Sequence, residues 1–269
     1  MNKEAFIKEV WEYYHEHKRN DQPWRKTTDP YRIMVSEIML QQTQVDRVTQ
    51  KYLDFIEQFP TTKSLAQATL ADVLKAWQGL GYNRRAKFLK QASEKIQQEF
   101  NGTFPETVDE LIKLPGIGKN TAAAIMAYAF NTGVPYIETN IRTVYIFHFF
   151  KNTEDVHDTD IEKLVVETMD KENPREWFWA IMDYGTHLKK TYGNNIQKSK
   201  HYVKQKKFQG SRRQKRGAII KYLTLHDKAN LTELQKETKE KKLIVKDILE
   251  ELQLEDMIEK KDDVYRIKG

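Results

Sequence analysis

Nine residues in mid-chain, Leu114-Pro115-Gly116-Ile117-Gly118-Lys119-Asn120-Thr121-Ala122, restrict the fold more than any other feature. They separate two stretches with helical spacing of apolar residues. Pro115 stops the first helix, and two glycines at a spacing of two permit a tight turn with exposed backbone. The next helix begins at once, so its first N–H groups have no partner inside the helix and can face an anion. A DNA phosphate suits such a site, because backbone amides bind it whatever the base sequence. A plain turn needs one glycine; the second, followed by Lys119 and Thr121, points to this use.

Helical periodicity dominates the surrounding chain. Phe6, Val10, Tyr13 and Tyr14 form one apolar stripe, and Tyr31, Met34, Val35 and Ile38 another at i, i+3, i+4, i+7. Further helices are predicted over 45–58, 64–77, 85–100, 107–113, 119–130, 140–150, 158–170 and 176–190, with Thr62, Thr107 and Asp158 as caps. No βαβ alternation or hairpin pair precedes residue 200, so the first 200 residues read as all-α. Beyond them, helices are expected over 217–225, 231–238 and 245–252. Met257-Ile258 and Val264–Ile267, flanking a polar KKDD turn, read as two short strands. Three helices and a ribbon make a winged-helix pattern.

Charge is unevenly placed. Of 45 Lys and Arg, ten fall within 196–221, a stretch without one acid, leaving 35 against 39 Asp and Glu elsewhere; the net charge is +6. Such a strip is expected to contact phosphate, with Lys204, Lys206, Lys207, Arg212 and Arg213 as its candidates. Hydrophobic residues make up 39%, enough for a sizeable core. The N-terminal twenty residues are amphipathic and carry acids, unlike a secretion signal, and no apolar run is long enough to cross a bilayer. Cysteine is absent, which excludes disulfides, thiolate catalysis and thiolate-bound zinc or iron–sulfur clusters within these residues. The expectation is a cytoplasmic, nucleoid-associated monomer without membrane contact or metal.

The hairpin, with Trp24-Arg25, the decamer Ser36-Glu-Ile-Met-Leu-Gln-Gln-Thr-Gln-Val45 and Gly79-Leu-Gly-Tyr82, resembles the helix–hairpin–helix base-excision glycosylases, which include endonuclease III and the MutY-like adenine DNA glycosylases. The resemblance runs from about Pro23 to Leu188, and the decamer is most similar to the adenine branch. It implies an all-α, two-lobed glycosylase fold with the active-site cleft between the lobes. The expected organisation is a glycosylase domain over 1–195, a basic DNA-contacting linker over 196–216 and a winged-helix-like α+β module over 217–269. The implied partner is double-stranded DNA with a mispaired or damaged base, extruded because a stacked base hides its glycosidic bond.

Breaking that bond needs a proton on the leaving base and an anion beside a sugar of oxocarbenium character, which two flanking carboxyls supply. Glu37 stands at the rim of an apolar helix face, where a carboxyl should keep its proton towards neutral pH. It also matches the family's catalytic glutamate. The family's second acid, an aspartate, is matched by Glu138 in Tyr136-Ile-Glu-Thr-Asn140-Ile-Arg142. Glutamate is longer by about 1.5 Å, and a misplacement of about 1 Å can cost on the order of a hundredfold in rate. Helix capping alone would also select an acid beside Asn140.

By resemblance, Asn140 and Tyr82 join the catalytic set. Trp24, Arg25 and Asp183 line the base pocket, although core roles for Trp24 and Tyr82 stay open. The same resemblance implies that Gln41 or Gln42 fills the space left by the flipped nucleotide and touches the opposite strand, and that Thr43, Pro115, Gly116, Gly118, Lys119, Thr121 and Arg142 contact DNA. Bifunctional relatives carry a Schiff-base lysine where this chain has Asn120, so hydrolysis without lyase activity is expected. Two departures stand out. The region after Asp183 carries the basic strip in place of the family's four-cysteine cluster loop, and about 55 C-terminal residues are too few for the usual module that reads 8-oxoguanine. Two other readings stay open: a DNA-binding module without catalysis, and a glycosylase for deaminated bases (T:G, U:G or hypoxanthine).

Overall fold

Both apolar stripes, with Tyr13 of the first only half-buried, become buried helix faces in the computed structural model, which describes residues 2–204 and 207–269. The first elements are α1 (Lys3–His17), α2 (Pro30–Leu40), α3 (Val45–Gln58), α4 (Thr62–Gln67), α5 (Leu70–Ala76), α6 (Arg84–Glu99) and α7 (Val108–Leu111). The hairpin leads into α8 (Lys119–Phe130), followed by α9 (Thr139–Phe149), α10 (Asp158–Thr168) and α11 (Pro174–Tyr192). The chain ends with α12 (Arg212–His226), β1 (Lys228–Asn230), α13 (Leu231–Thr238), α14 (Lys242–Leu254), β2 (Ile258–Lys261) and β3 (Val264–Ile267). The fold is thus helical with a small C-terminal α+β module. Among the described residues no helix is long and apolar enough to cross a membrane.

Contacts divide the chain into two compact units, each discontinuous in sequence. The first comprises Met1–Glu37, Glu106–Lys113 and Ile117–Lys204. Its core is aromatic: Phe6 of α1 meets Tyr145 of α9 at 5.1 Å and Trp177 of α11 edge-on at 6.2 Å. Edge-to-face pairs of this kind add about 0.5–1.5 kcal/mol beyond the area they bury.

The second unit comprises Ile38–Pro105, Leu114–Gly116 and Gln205–Gly269. Phe55 of α3 packs edge-on against Phe59 and Trp77 at 4.9 and 5.9 Å. Its C-terminal part buries Ile219, Leu223, Leu234, Ile248 and Leu252 over a three-stranded antiparallel sheet of order β1-β3-β2. Lys261 pairs with Val264, so Asp262 and Asp263 form a two-residue turn, and their φ angles of 49° and 59° are what that turn requires.

Three expectations need correction. The helix predicted over 64–77 is two helices, because the Thr69 hydroxyl accepts the Asp72 amide and starts a new one. The caps sit one residue earlier than predicted at two sites. Thr61 caps α4 in a reciprocal pair with Ser64, and His157 occupies the cap position of α10 while Asp158 turns to Arg142. Strand β1 was not expected: Lys-Ala-Asn alternates over three residues only, too short a run to signal a strand, and pairing to β3 makes it one.

Candidate active site and nucleic-acid interface

In the first unit the site grows from two helix ends. Glu37 lies near the C-terminal end of α2 and stays half-buried, while its helix neighbours Met34, Val35 and Ile38 are fully buried. Glu138 is the N-cap of α9: its Oε1 accepts the backbone amides of Asn140 and, at 3.0 Å, of Ile141. The approach to Glu138 is pinned by Asn120, whose Nδ2 donates to the Ile137 carbonyl at 2.6 Å. Behind it α11 comes unusually close, since a Cβ on Gly185 would lie 2.7 Å from the Asn140 carbonyl oxygen.

Glu37 senses the charge of Glu138, and the environments of the two carboxyls differ. Burial, then the charge of Glu138, pushes Glu37 up to about 8, against the pull of Arg25. Glu138 is also raised by burial, but two backbone amides, Lys189 and Arg142 oppose the shift. Glu37 has no comparable amide support, and a helix N-terminus favours negative charge. Glu37 therefore keeps its proton at neutral pH, while Glu138, with two amides and two cations opposing its upward shift, is the better placed of the two to carry negative charge.

Next to this pair lies a polar arrangement that the sequence did not disclose. Arg25 grips Asp183 with both terminal nitrogens at 2.8 and 2.7 Å, and Arg19 adds its Nε at 2.7 Å and its backbone amide at 3.1 Å. The Arg25 and Asp183 side chains are only 5% and 1% exposed. Their hydrogen-bonding capacity is thus spent largely on each other and on Arg19. Trp24 is buried at 6% exposure, and Trp179 lies between Arg25 and Tyr128. Tyr128 and Tyr136, also unforeseen, share a hydroxyl–hydroxyl bond of 3.0 Å. Arg142, expected at DNA, instead forks onto Asp158 at 2.7 and 2.6 Å.

The hairpin carries its glycines for different reasons. Gly116 has φ +79°, and a Cβ there would sit 2.8 Å from the Phe88 side chain, so no other residue fits. A Cβ on Gly118 would meet nothing within 4 Å, and Gly118 is the N-cap of α8 without a side-chain cap bond. Lys119 is exposed and Thr121 half-buried on that turn.

In the second unit, Arg85 organises the segment after α2. Its Nη1 donates to the carbonyls of Ile38, Met39 and Gln41 at 2.8, 2.9 and 2.6 Å, and its Nη2 donates to the Thr43 hydroxyl at 3.0 Å. A cation on the last carbonyls of a helix is favourable, and it fixes the Gln41–Gln42–Thr43 turn. Gln42 takes φ 55°, and Gln41 reaches the Gly116 carbonyl at 3.4 Å. Tyr82, with φ 49°, closes the Gly79–Tyr82 turn. These groups border a cavity of about 1390 Å³ with Gln41, Gln42, Tyr82, Gly116, Lys207 and Arg213 in its lining.

The basic strip is less free than its sequence suggests. Arg212 pairs with Glu251 at 2.7 Å, Arg216 with Glu251 and Glu255 at 3.0 and 2.5 Å, and Lys215 with Glu240 at 2.6 Å. Acids absent locally come from α13–α14 and the residues beside them, which corrects the picture of an uncompensated stripe. Lys204 and Lys207 are exposed, whereas Lys206 lies outside the described residues.

The chain is 37% identical over 185 residues to the adenine DNA glycosylase of Buchnera aphidicola subsp. Baizongia pistaciae, covering 67% of this chain and 52% of that protein. To the adenine DNA glycosylase of Mycolicibacterium smegmatis it is 44% identical over 132 residues, 49% of this chain and 45% of that one. The chain thus spans about half the length of the curated relatives it matches. Among solved structures, a thermostable thymine-DNA glycosylase superposes with a TM-score of 0.61 at 24% identity, over 68% of this chain and 85% of that chain, a likeness of fold. With a family match spanning residues 35–248, the chain belongs to the HhH-GPD superfamily of base excision DNA repair proteins.

Proposed function

We propose that this protein is a monofunctional DNA glycosylase that extrudes adenine from a mismatch in duplex DNA and hydrolyses its glycosidic bond. One observation carries the reading: two half-buried carboxyls in unlike environments, one raised by burial and by the charge of the other, the second capping a helix through two backbone amides. Glu37 protonates the departing base. Glu138 stabilises the positive sugar, with Asn140 beside it on the first turn of α9. The carboxylate left on Glu37 then takes a proton from the attacking water, restoring the acid. The first turn of α8, with Gly118, Lys119 and Thr121, takes a strand phosphate, and Gln41, Gln42 and Tyr82 serve the opposite strand and the target nucleotide. Adenine is supported by the relatives, which are adenine DNA glycosylases.

Hydrolysis without lyase action is supported by position 120, where an asparagine is bonded to Ile137; Lys119 is one residue, about 100° of helix, away. The residues present cannot hold a thiolate-ligated iron–sulfur cluster, since the chain has no cysteine, and no step is assigned to one. We assign the protein to the cytoplasm and the nucleoid, as a monomer.

The test is cleavage of duplexes containing A:G, A:8-oxoguanine, T:G, U:G and hypoxanthine:T, each followed by alkali. The expected result is strand scission at the adenine mismatches, lost in Glu37→Gln while DNA binding persists, with no borohydride-trapped adduct. Scission only at T:G, U:G or hypoxanthine would reassign the substrate. The use of Glu138 as a helix cap favours a second reading, a DNA-binding module without catalysis; failure to cleave any duplex would establish it.

A further inference from the structure

In the second unit five side chains alternate aromatic and cationic character along one column. The Arg85 guanidinium lies 5.4 Å from the Trp77 ring centre and 5.5 Å from that of Tyr82. Arg213 covers Tyr82 at 4.8 Å and lies 5.5 Å from Phe208. The base of the column is rigid. Trp77 is fully buried and donates its Nε1 to the Gly81 carbonyl at 3.1 Å, and Arg85 is locked by the carbonyls it caps. The other end comes from the C-terminal segment: Arg213, on the first turn of α12, also donates to the Tyr82 hydroxyl. Tyr82 is thus held by ring stacking and by its hydroxyl, in a left-handed backbone conformation that a tyrosine adopts only under such constraint.

We infer that Arg213 is a positioning residue for Tyr82, so that the C-terminal module completes the DNA-contacting face of this unit; the inference rests on the glycosylase reading, in which Tyr82 faces the target nucleotide. Its neighbours support the assignment. Arg212 and Arg216 on the same helix end are neutralised by Glu251 and Glu255, whereas Arg213 is directed to Tyr82 and Phe208. A guanidinium stacks and donates at once, and a lysine ammonium does not reproduce both.

The experiment compares Arg213→Ala, Arg213→Lys, Tyr82→Phe and the double variant Tyr82→Phe/Arg213→Ala in single-turnover cleavage at saturating duplex. The salt dependence of duplex affinity is measured in parallel, and Lys215→Ala controls for the stability of α12. Expected are a roughly tenfold slower rate for both Arg213 variants, a double variant no slower than the slower single, an unchanged salt slope and a normal Lys215→Ala rate. An unaltered saturated rate for Arg213→Ala with a salt slope shallower by about 1 would make Arg213 a phosphate contact and overturn the inference. So would additive losses in the double variant. If the wild type cleaves no duplex, it is the glycosylase reading that fails; the same four proteins then give the coupling through affinity for a duplex containing an abasic-site analogue, where additivity again rejects the inference.

Discussion

The acid pair of the first unit and the cationic helix α12 of the second handle charge in opposite ways. Glu37 and Glu138 sit in surroundings that leave a proton or a negative charge in tension, one raised to about 8 and the other held by two amides. On α12 every strong cation but one is matched to a carboxylate or a ring: Arg212, Lys215 and Arg216 meet Glu251, Glu240 and Glu255, and Arg213 meets Tyr82. The remaining one, Lys221, is exposed. Chemical potential is therefore concentrated where the sequence looks mostly apolar, and it is damped where the sequence looks most charged.

Glu37→Gln breaks the first half of that contrast most severely. Its cleavage rate should fall by about 10²–10⁴ through loss of the proton donor, with duplex affinity retained in a gel-shift titration. Glu138 follows. Glu138→Ala removes the anion and a helix cap together, so the rate should drop on the order of a hundredfold and unfolding should cost about 1 kcal/mol less; Glu138→Asp should keep most of both. A rate for Glu138→Ala equal to wild type would reduce this residue to a cap.

A smaller effect appears in the pH dependence of stability. Folded Glu37 keeps its proton to about pH 8, and the unfolded carboxyl loses it near 4.3. Between those values the folded state binds more protons, so this residue makes the protein less stable as pH rises through the window, and its effect is constant outside it. The Tm of Glu37→Gln should thus gain on wild type from about pH 4.3 to 8; parallel curves would mean that Glu37 titrates normally. Smallest is Glu251→Gln, which releases Arg212 and leaves Arg216 on Glu255 alone. It should raise duplex affinity at low salt and steepen the log–log salt slope by about 1. No change would show that α12 does not face phosphate.

Much of this organisation was legible beforehand. Helix α3 and helix α8 follow directly from apolar spacing and punctuation, because their stripes are long and their ends carry Gln44, Gly118 or Asn131 in cap geometry. Glu37 was recognisable because an acid on an apolar helix face is costly unless used. Arg85 and Arg19 were hidden: each is one arginine in a polar run, and its importance comes from carbonyls and a carboxylate far away in sequence. The Tyr128–Tyr136 bond was equally invisible, since a tyrosine in a core stripe reads as bulk. The neutralisation of the basic strip could not be read locally, because its acids lie some 25 to 40 residues downstream.

The missing side chain at position 185 has a consequence for how variation in this protein should be interpreted. With only 2.7 Å between a grafted methyl and the Asn140 carbonyl, α11 works as a fixed stop behind the helix start that presents Glu138. The smallest substitution there would act as a wedge, displacing the acid by its own thickness without removing a single reactive group. Inactivating substitutions in the proposed glycosylase need not map to its carboxylates, and a residue with nothing to contribute chemically sets the tolerance to which the proposed chemistry is machined.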